Sequence, residues 1–203
     1  MERVIAYIDG FNLYHGLRQK GWKWFYWLNI QALVKNILKS YQILVKTKYF
    51  TSVVNTPVDK HDRQITFLEA LQTLSDFQLY YGHFLSHPNK CSNCGHVYHA
   101  YHEKMTDVNI AVEMMADTFQ DHLDTALLLS ADSDLVGPIK TIKELYSQKR
   151  IVVVFPPARH SKALSKIADG CYFLGRDKLS KSLFPDKIVK ADGFVLERPK
   201  KWR

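Results

Sequence analysis

The sequence predicts an α/β fold, a central parallel sheet with helices on both faces, from three observations. Residues 4–8 (VIAYI), 125–129 (TALLL) and 151–155 (IVVVF) are continuous apolar runs, the pattern of strands buried on both faces. Between them lie segments with apolar residues every three to four positions, the period of amphipathic helices. Strands and helices alternate along the chain, the order that a parallel sheet needs.

Each element follows in turn. Residues 4–8 form a strand that opens at Asp9-Gly10 into a loop. Residues 30–38 (IQALVKNIL) are helical, with Asn29 as N-cap. Residues 43–54 are β-rich and end at Asn55-Thr56-Pro57. Residues 59–74 carry Ile65, Leu68, Leu71 and Leu74 on one helical face. Residues 77–85 read as a strand, and 86–102 as a polar loop rich in Cys and His. A helix over 107–122, the strand 125–129 and a helix with Pro138 in its first turn follow. The strand 151–155 stops at Pro156-Pro157; a short helix (161–168) and a short strand (171–174) close the pattern. Residues 1–175 are thus expected to form one domain with a Cys/His loop insertion at about 86–102. Residues 176–203 are expected to form a basic extension packed on it or trailing from it.

The chain of 203 residues is large enough to bury a core without disulfides. With 46% hydrophobic and 24% charged residues it is globular in composition, not disordered. No apolar run reaches the roughly 18 residues of a membrane span, and no leader-like start is visible, so a cytoplasmic protein without a membrane role is expected. The net charge of +8 is uneven. Residues 1–158 hold 16 basic and 15 acidic residues; residues 159–203 hold 12 and 5. That asymmetry suits a polyanion, nucleic acid first. A solvated basic tail would look the same.

Two apolar strands end in acids: VIAYI in Asp9, and TALLL in Ser-Ala-Asp132-Ser-Asp134. Carboxylates beside buried strands are costly to desolvate and repel one another. Oxygen-only ligands of this kind suit Mg²⁺ or Mn²⁺. Asp107, at the start of a helix, is a fourth candidate. Each acid also has an ordinary explanation, in a helix cap or a favourable dipole.

The blocks YIDGFNLYHGL (7–17), KYFTSVVNTP (48–57), EKMTDVNIAVEMM (103–115), LLLSADSDLVGPIK (127–140) and VVVFPP (152–157) together resemble the NYN-domain family, in its LabA-like branch within the PIN-like nucleases. The resemblance implies a Rossmann-like PIN fold and a catalytic metal site carried by Asp9, Asp107, Asp132 and Asp134. It also implies a role for Asn12 in orienting metal-bound water or phosphate. Ala131 stands where the family often has glycine and Asn29 where it often has aspartate; neither removes a metal-site carboxylate.

Cys91 and Cys94 form a C-x-x-C followed by Gly95, the outline of a zinc knuckle. His99 and His102 are the better-placed candidates for the other two zinc ligands, and His83 and His87 stay open. Cys171 lies in an apolar stretch and reads as a buried packing thiol. Residues 22–27 (WKWFYW) are dense in aromatics beside Lys20 and Lys23. Trp22 and Trp24 are candidates to stack on single-stranded nucleic acid, Trp27 is expected to be structural, and Tyr14 and His15 to line the mouth of the site. Lys104, Arg159, Lys162 and Arg176 are candidate phosphate contacts, although Lys104 could instead pair with Glu103 or Asp107.

Taken together, these features predict a Mg²⁺- or Mn²⁺-dependent endoribonuclease, with zinc as a further metal and RNA as partner; a homodimer stays open. The rival is a non-catalytic RNA-binding or regulatory module. An aspartyl phosphohydrolase fits poorly, because Phe11 stands where that chemistry wants a second acid.

Overall fold

Six parallel strands form the sheet around which the rest of the chain is built, in the order β3-β2-β1-β6-β7-β8. The computed structural model describes the backbone of residues 1–203 and every side chain except those of His87, His99, Ala100, Tyr101 and His102. In chain order the elements are β1 (Glu2–Asp9), α1 (Gly10–Gln19), α2 (Ile30–Ile37), β2 (Gln42–Thr51), α3 (Val58–Gln72), β3 (Phe77–Tyr81), β4 (His83–Lys90), β5 (Val97–Lys104) and α4 (Thr106–Phe119). They continue as β6 (Thr125–Leu129), α5 (Val136–Leu145), β7 (Arg150–Phe155), α6 (Lys162–Ile167), β8 (Gly170–Phe173), α7 (Arg176–Ser180), β9 (Lys187–Val189) and β10 (Val195–Glu197).

The continuous apolar runs are buried on both faces, as their pattern predicts. Alternate residues of β1 feed two cores: Val4, Ala6 and Ile8 pack with α1, α2 and α3 residues, and Ile5 and Tyr7 with α4 and α5 residues. Asn29 caps α2, its side-chain oxygen accepting the Ala32 N–H at 2.9 Å, so a neutral amide serves there.

Three expectations need correction. The loop at 86–102 is instead mostly a β-hairpin, β4 against β5, with Cys91, Cys94 and Gly95 at its tip. Tyr and His residues can pair across strands as well as lie in a loop. The strand expected at 77–85 is broken at Gly82, where a Cβ would overlap the Ser52 hydroxyl and the Lys104 carbonyl. Cys171 is exposed, because β8 is the edge strand and only alternate residues of it pack inward.

Residues 176–203 fold back onto the sheet domain. Leu179, Phe184 and Leu196 join its core. The Trp27 indole N–H donates to the Pro185 carbonyl at 2.8 Å, and Leu28 bridges Leu183. Three of its bases pair with the segment's own acids, Lys187 with Glu197, Arg198 with Asp186 and Lys181 with Asp177, which leaves its basic excess in place. No helix is long and apolar enough to cross a membrane among the described residues.

Candidate active site

β1 and β6 lie side by side where the sheet reverses its direction of growth, with β2 and β3 to one side and β7 and β8 to the other. A crevice opens beyond the carboxyl ends of the strands at such a switch point. Asp9 ends β1, and Ser130 follows β6. Helix α4 must run back towards the start of β6, so its first turn lies at the same end of the sheet.

Asp9 is 2% exposed and caps α1. Its Oδ1 accepts the Asn12 backbone N–H at 2.9 Å; its Oδ2 accepts the Asn12 amide at 2.5 Å and the Ser130 hydroxyl at 2.9 Å. Gly10 lets the chain turn so closely over β2, since a Cβ would stand 2.6 Å from the Tyr49 hydroxyl oxygen and 2.8 Å from the Phe50 carbonyl oxygen. Burial pushes the Asp9 carboxyl up, the donors from Asn12 and Ser130 oppose it, and Asp132 adds repulsion.

The Ser130 hydroxyl also accepts the Asp132 backbone N–H at 3.0 Å, so one buried oxygen joins the two strand ends. Asp132 in turn accepts the Asp134 N–H at 3.0 Å and caps the turn Ser133–Leu135. The capping explanation and a site role therefore coexist in one residue.

Asp107, in the first turn of α4, is pushed up to about 7, by burial first and then by Asp132, Asp9, Glu103 and Asp134. The structure thus gathers Asp9, Asn12, Asp107, Asp132 and Asp134, scattered in sequence, into one acidic neighbourhood. Among the described residues no three His, Cys, Asp or Glu side chains form a finished metal cage. Two donors already hold Asp9 Oδ2.

The raised Asp107 gives a stability prediction with a definite sign. Its usual value is 3.8 and its folded value about 7. Between these the native chain holds a proton that the unfolded chain has released, so stability falls as pH rises through that window and the full penalty stands above it. Asp107→Asn is expected to remove the penalty and stabilise the protein at pH 8 in EDTA by about 1–2 kcal/mol, allowing for solvent screening of a half-buried group. Urea melts at pH 5 and pH 8 check it; equal pH dependence in both proteins would disprove it.

Glu103 is a site residue that sequence reasoning missed. Its Oε1 accepts from the Ser52 hydroxyl at 3.1 Å and from the Thr106 hydroxyl and N–H, which holds the end of β5 onto the start of α4. Its position four residues before Asp107 was the available sign. Ser130 was also missed, as a polar residue directly after an apolar strand.

Of the predicted phosphate contacts, Arg159 reaches Asn12, its Nη1 donating to Asn12 Oδ1 at 3.1 Å while its buried Nε has no partner among the described residues. Lys104 is exposed and makes no ion pair with Glu103 or Asp107 among the described residues. Lys162 is exposed at the start of α6, which packs beside the Ser133–Leu135 turn. Arg176 stacks over Trp24 at 5.5 Å, a pair set by the C-terminal segment. Trp22 is half-buried, edge-on to Phe25, and packs on the core, and Trp27 is fully buried. A cavity of about 660 Å³ lies along α1 and is lined by Tyr14, His15 and other rings.

Cys91 and Cys94 sit at the hairpin tip, where the Gly95 N–H donates to the Cys91 carbonyl at 3.0 Å and Gly95 has φ of 71°. The side chains of His99 and His102 lie outside the described residues. The strand register places His99 opposite Pro88 and His102 opposite Leu85, farther down the hairpin.

The NYN domain profile matches residues 3–175, most of the chain. The chain belongs to the NYN-domain family. NYN domains are PIN-like, and the six-stranded parallel sheet with helices around it agrees with that fold. The chain is also similar to 6-hydroxy-3-succinoylpyridine 3-monooxygenase HspA of Pseudomonas putida (strain DSM 28022 / S16), at 25% identity over 193 residues. That match covers 79% of this chain and 62% of HspA, so this NYN protein spans less than two thirds of that relative. In fold it resembles the crystal structure of a protein of unknown function, VPA0982, from Vibrio parahaemolyticus RIMD 2210633. The TM-score is 0.55 and the identity 18%, over 90% of this chain and 96% of the other.

Proposed function

We infer that this NYN protein is a metal-dependent endoribonuclease, with Asp9, Asp107, Asp132 and Asp134 as the residues that hold Mg²⁺ or Mn²⁺. One observation carries the reading: at the switch point of the sheet Asp107 is pushed up to about 7 by burial and by Asp132, Asp9, Glu103 and Asp134. An all-oxygen donor set with surplus negative charge fits a hard divalent cation that keeps part of its water shell. Such a cation supplies an activated water and neutralises charge on the scissile phosphate. The protein's part is positioning. Asn12 and Ser130 fix the Asp9 carboxylate, Glu103 fixes the start of α4, and Arg159 presents a guanidinium N–H beside the acids for a phosphate oxygen. Placement in the LabA-like branch rests on the D-G-x-N, E-K-x-x-D-V and S-x-D-S-D blocks.

The test is cleavage of RNA and of DNA with Mg²⁺, Mn²⁺ or EDTA. Metal-dependent RNA cleavage is expected; binding without cleavage under every metal would favour a non-catalytic RNA-binding module. Arg176→Gln is expected to reduce the log–log salt slope of RNA binding by roughly 0.7 while bound RNA is still cut. Arg159→Gln is expected to slow cleavage as well, since it touches Asn12. Unchanged slopes in both variants would leave the basic residues without a role on RNA.

A zinc site is proposed at the hairpin tip. Backbone hydrogen bonds from Cys94 and Asn93 hold the Cys91 thiol below its usual value, which favours the thiolate that zinc takes. Metal analysis is expected to find about one zinc per chain and less in Cys94→Ser. Zinc-free protein as purified would overturn it.

A second reading, chemistry on a small aromatic acid, is favoured by the ring-lined cavity along α1 and by the compound named in HspA. It predicts binding of hydroxypyridine carboxylic acids and no cut RNA in the same assays.

A further inference from the structure

The cavity beside α1 has an occupant written into its walls. Its volume of about 660 Å³ lies within the range of small-ligand sites. Gly10 and Phe11, which follow Asp9 directly in the chain, are among its lining residues. Tyr14, Tyr26, Phe67 and Trp202 supply rings: Tyr14 and Tyr26 lie 5.1 Å apart, Tyr26 and Trp202 5.7 Å, Phe67 and Trp202 6.2 Å. Trp202 is brought there by the C-terminal segment, its carbonyl accepting from Arg198 at 2.7 Å. Rings around a slot of this size select a flat, polarisable guest.

Arg18, Lys23, Lys60, Arg63 and Lys201 are among its lining residues, and among the described residues no carboxylate lines it. Arg63 and Lys201 are tied to Asp59, at 2.8 and 2.6 Å. Arg18 and Lys60 have no ion pair among the described residues, and the Lys60 ammonium stands 5.6 Å over the Tyr14 ring. Both face His15, as does Arg159, and burial together with these three cations holds its imidazole below the usual value. A ring slot with free cations at its edge recognises a flat ring joined to an anion.

We propose that this cavity seats one unstacked base of the RNA strand, with the neighbouring phosphate on Arg18 and Lys60 and the next phosphate reaching the acids. The proposal rests on the reading of RNA as substrate and adds where the strand is gripped. It also assigns a role to Trp202 and the C-terminal segment, which close the slot around the base.

Calorimetric titration of the full chain in EDTA tests it without relying on cleavage. The probes are uridine and adenosine monophosphates, their nucleosides, inorganic phosphate, a short single-stranded RNA and a hydroxypyridine carboxylic acid. Saturable binding of at least one monophosphate is expected, with its nucleoside and phosphate alone each about tenfold weaker or more. Tyr14→Leu is expected to weaken monophosphate and RNA binding by about fivefold or more, and Tyr14→Phe to leave both intact, which separates stacking from misfolding. Lys60→Gln is expected to weaken the monophosphate and leave the nucleoside unchanged.

No saturable monophosphate binding, or RNA affinity unaffected by Tyr14→Leu, would overturn the proposal. Monophosphate binding that responds to Tyr14→Leu while RNA binding does not would assign the slot to free nucleotides instead. Binding of the pyridine acid but of no nucleotide would overturn it in favour of small-molecule chemistry. Cleavage that persists while the slot binds nothing sinks the slot alone; a slot that binds in a chain that never cuts RNA sinks the nuclease reading alone.

Discussion

Asp132→Asn is expected to lower RNA cleavage by at least about a thousandfold, a loss of roughly 4 kcal/mol of transition-state stabilisation, with the fold intact. An amide oxygen can still accept the Asp134 N–H, so the cap on the turn Ser133–Leu135 survives. The Asp132 backbone N–H, which reaches Ser130, is untouched. What is lost is one negative charge facing Asp107, the largest repulsion acting on it after burial. The same substitution should therefore bring the Asp107 carboxyl down from about 7 towards its usual value, a change visible in an NMR titration of the metal-free protein. Slower cleavage together with a lower Asp107 titration point is the expected pair of results. Full activity in Asp132→Asn would remove the acids from the chemistry, and an unmoved Asp107 would remove Asp132 from its neighbourhood.

Lys48→Met is expected to destabilise the protein by about 3–5 kcal/mol, because it strands buried carboxylates. The Lys48 side chain is 5% exposed, and its ammonium meets Asp117 at 2.5 Å and Glu113 at 2.6 Å. Tyr7 donates to the same Asp117 oxygen at 2.6 Å and Tyr80 to Glu113 at 2.7 Å. Burial pushes the Asp117 carboxyl up, yet the hydrogen bonds from Lys48 and Tyr7 outweigh it and hold the group below its usual value. For a chain of this size the loss corresponds to a Tm lower by roughly 10 °C. Adding Glu113→Gln and Asp117→Asn should recover part of it, since no unpaired charge then stays buried. A Tm within a degree or so of wild type in the single variant would contradict the assignment. The network ties α4 to β1, β2 and β3, so it also sets where Asp107 stands.

The strands and helices were legible because their causes are local. Residues 125–129 are apolar throughout because β6 is covered on both faces, and Asn29 caps α2 from within its own turn. The acids were legible for a related reason: a carboxylate directly after a buried strand is costly anywhere, so Asp9, Asp132 and Asp134 stood out before any partner was known. The hairpin at 86–102 was not legible, since its polar residues and its C-x-x-C turn suit a loop equally well. Glu103 and Ser130 were passed over because a single Glu or Ser next to a turn has many ordinary uses.

By itself the sequence determined the parallel-sheet fold class, the family blocks and the residue types of the site. It did so through periodicity and through the cost of placing charge beside apolar strands. The tertiary structure alone decided which strand ends are neighbours. β1 lies beside β6, 121 residues separate the Ser130 hydroxyl from the Asp9 carboxylate it holds, and 147 separate Arg159 from Asn12. It also decided that Lys48 finds Asp117 across 69 residues, and that Trp202 returns to wall the cavity beside Tyr26. Contacts over such spans come from strand order and from the return path of the chain through the whole core, and no local pattern of side chains encodes either one.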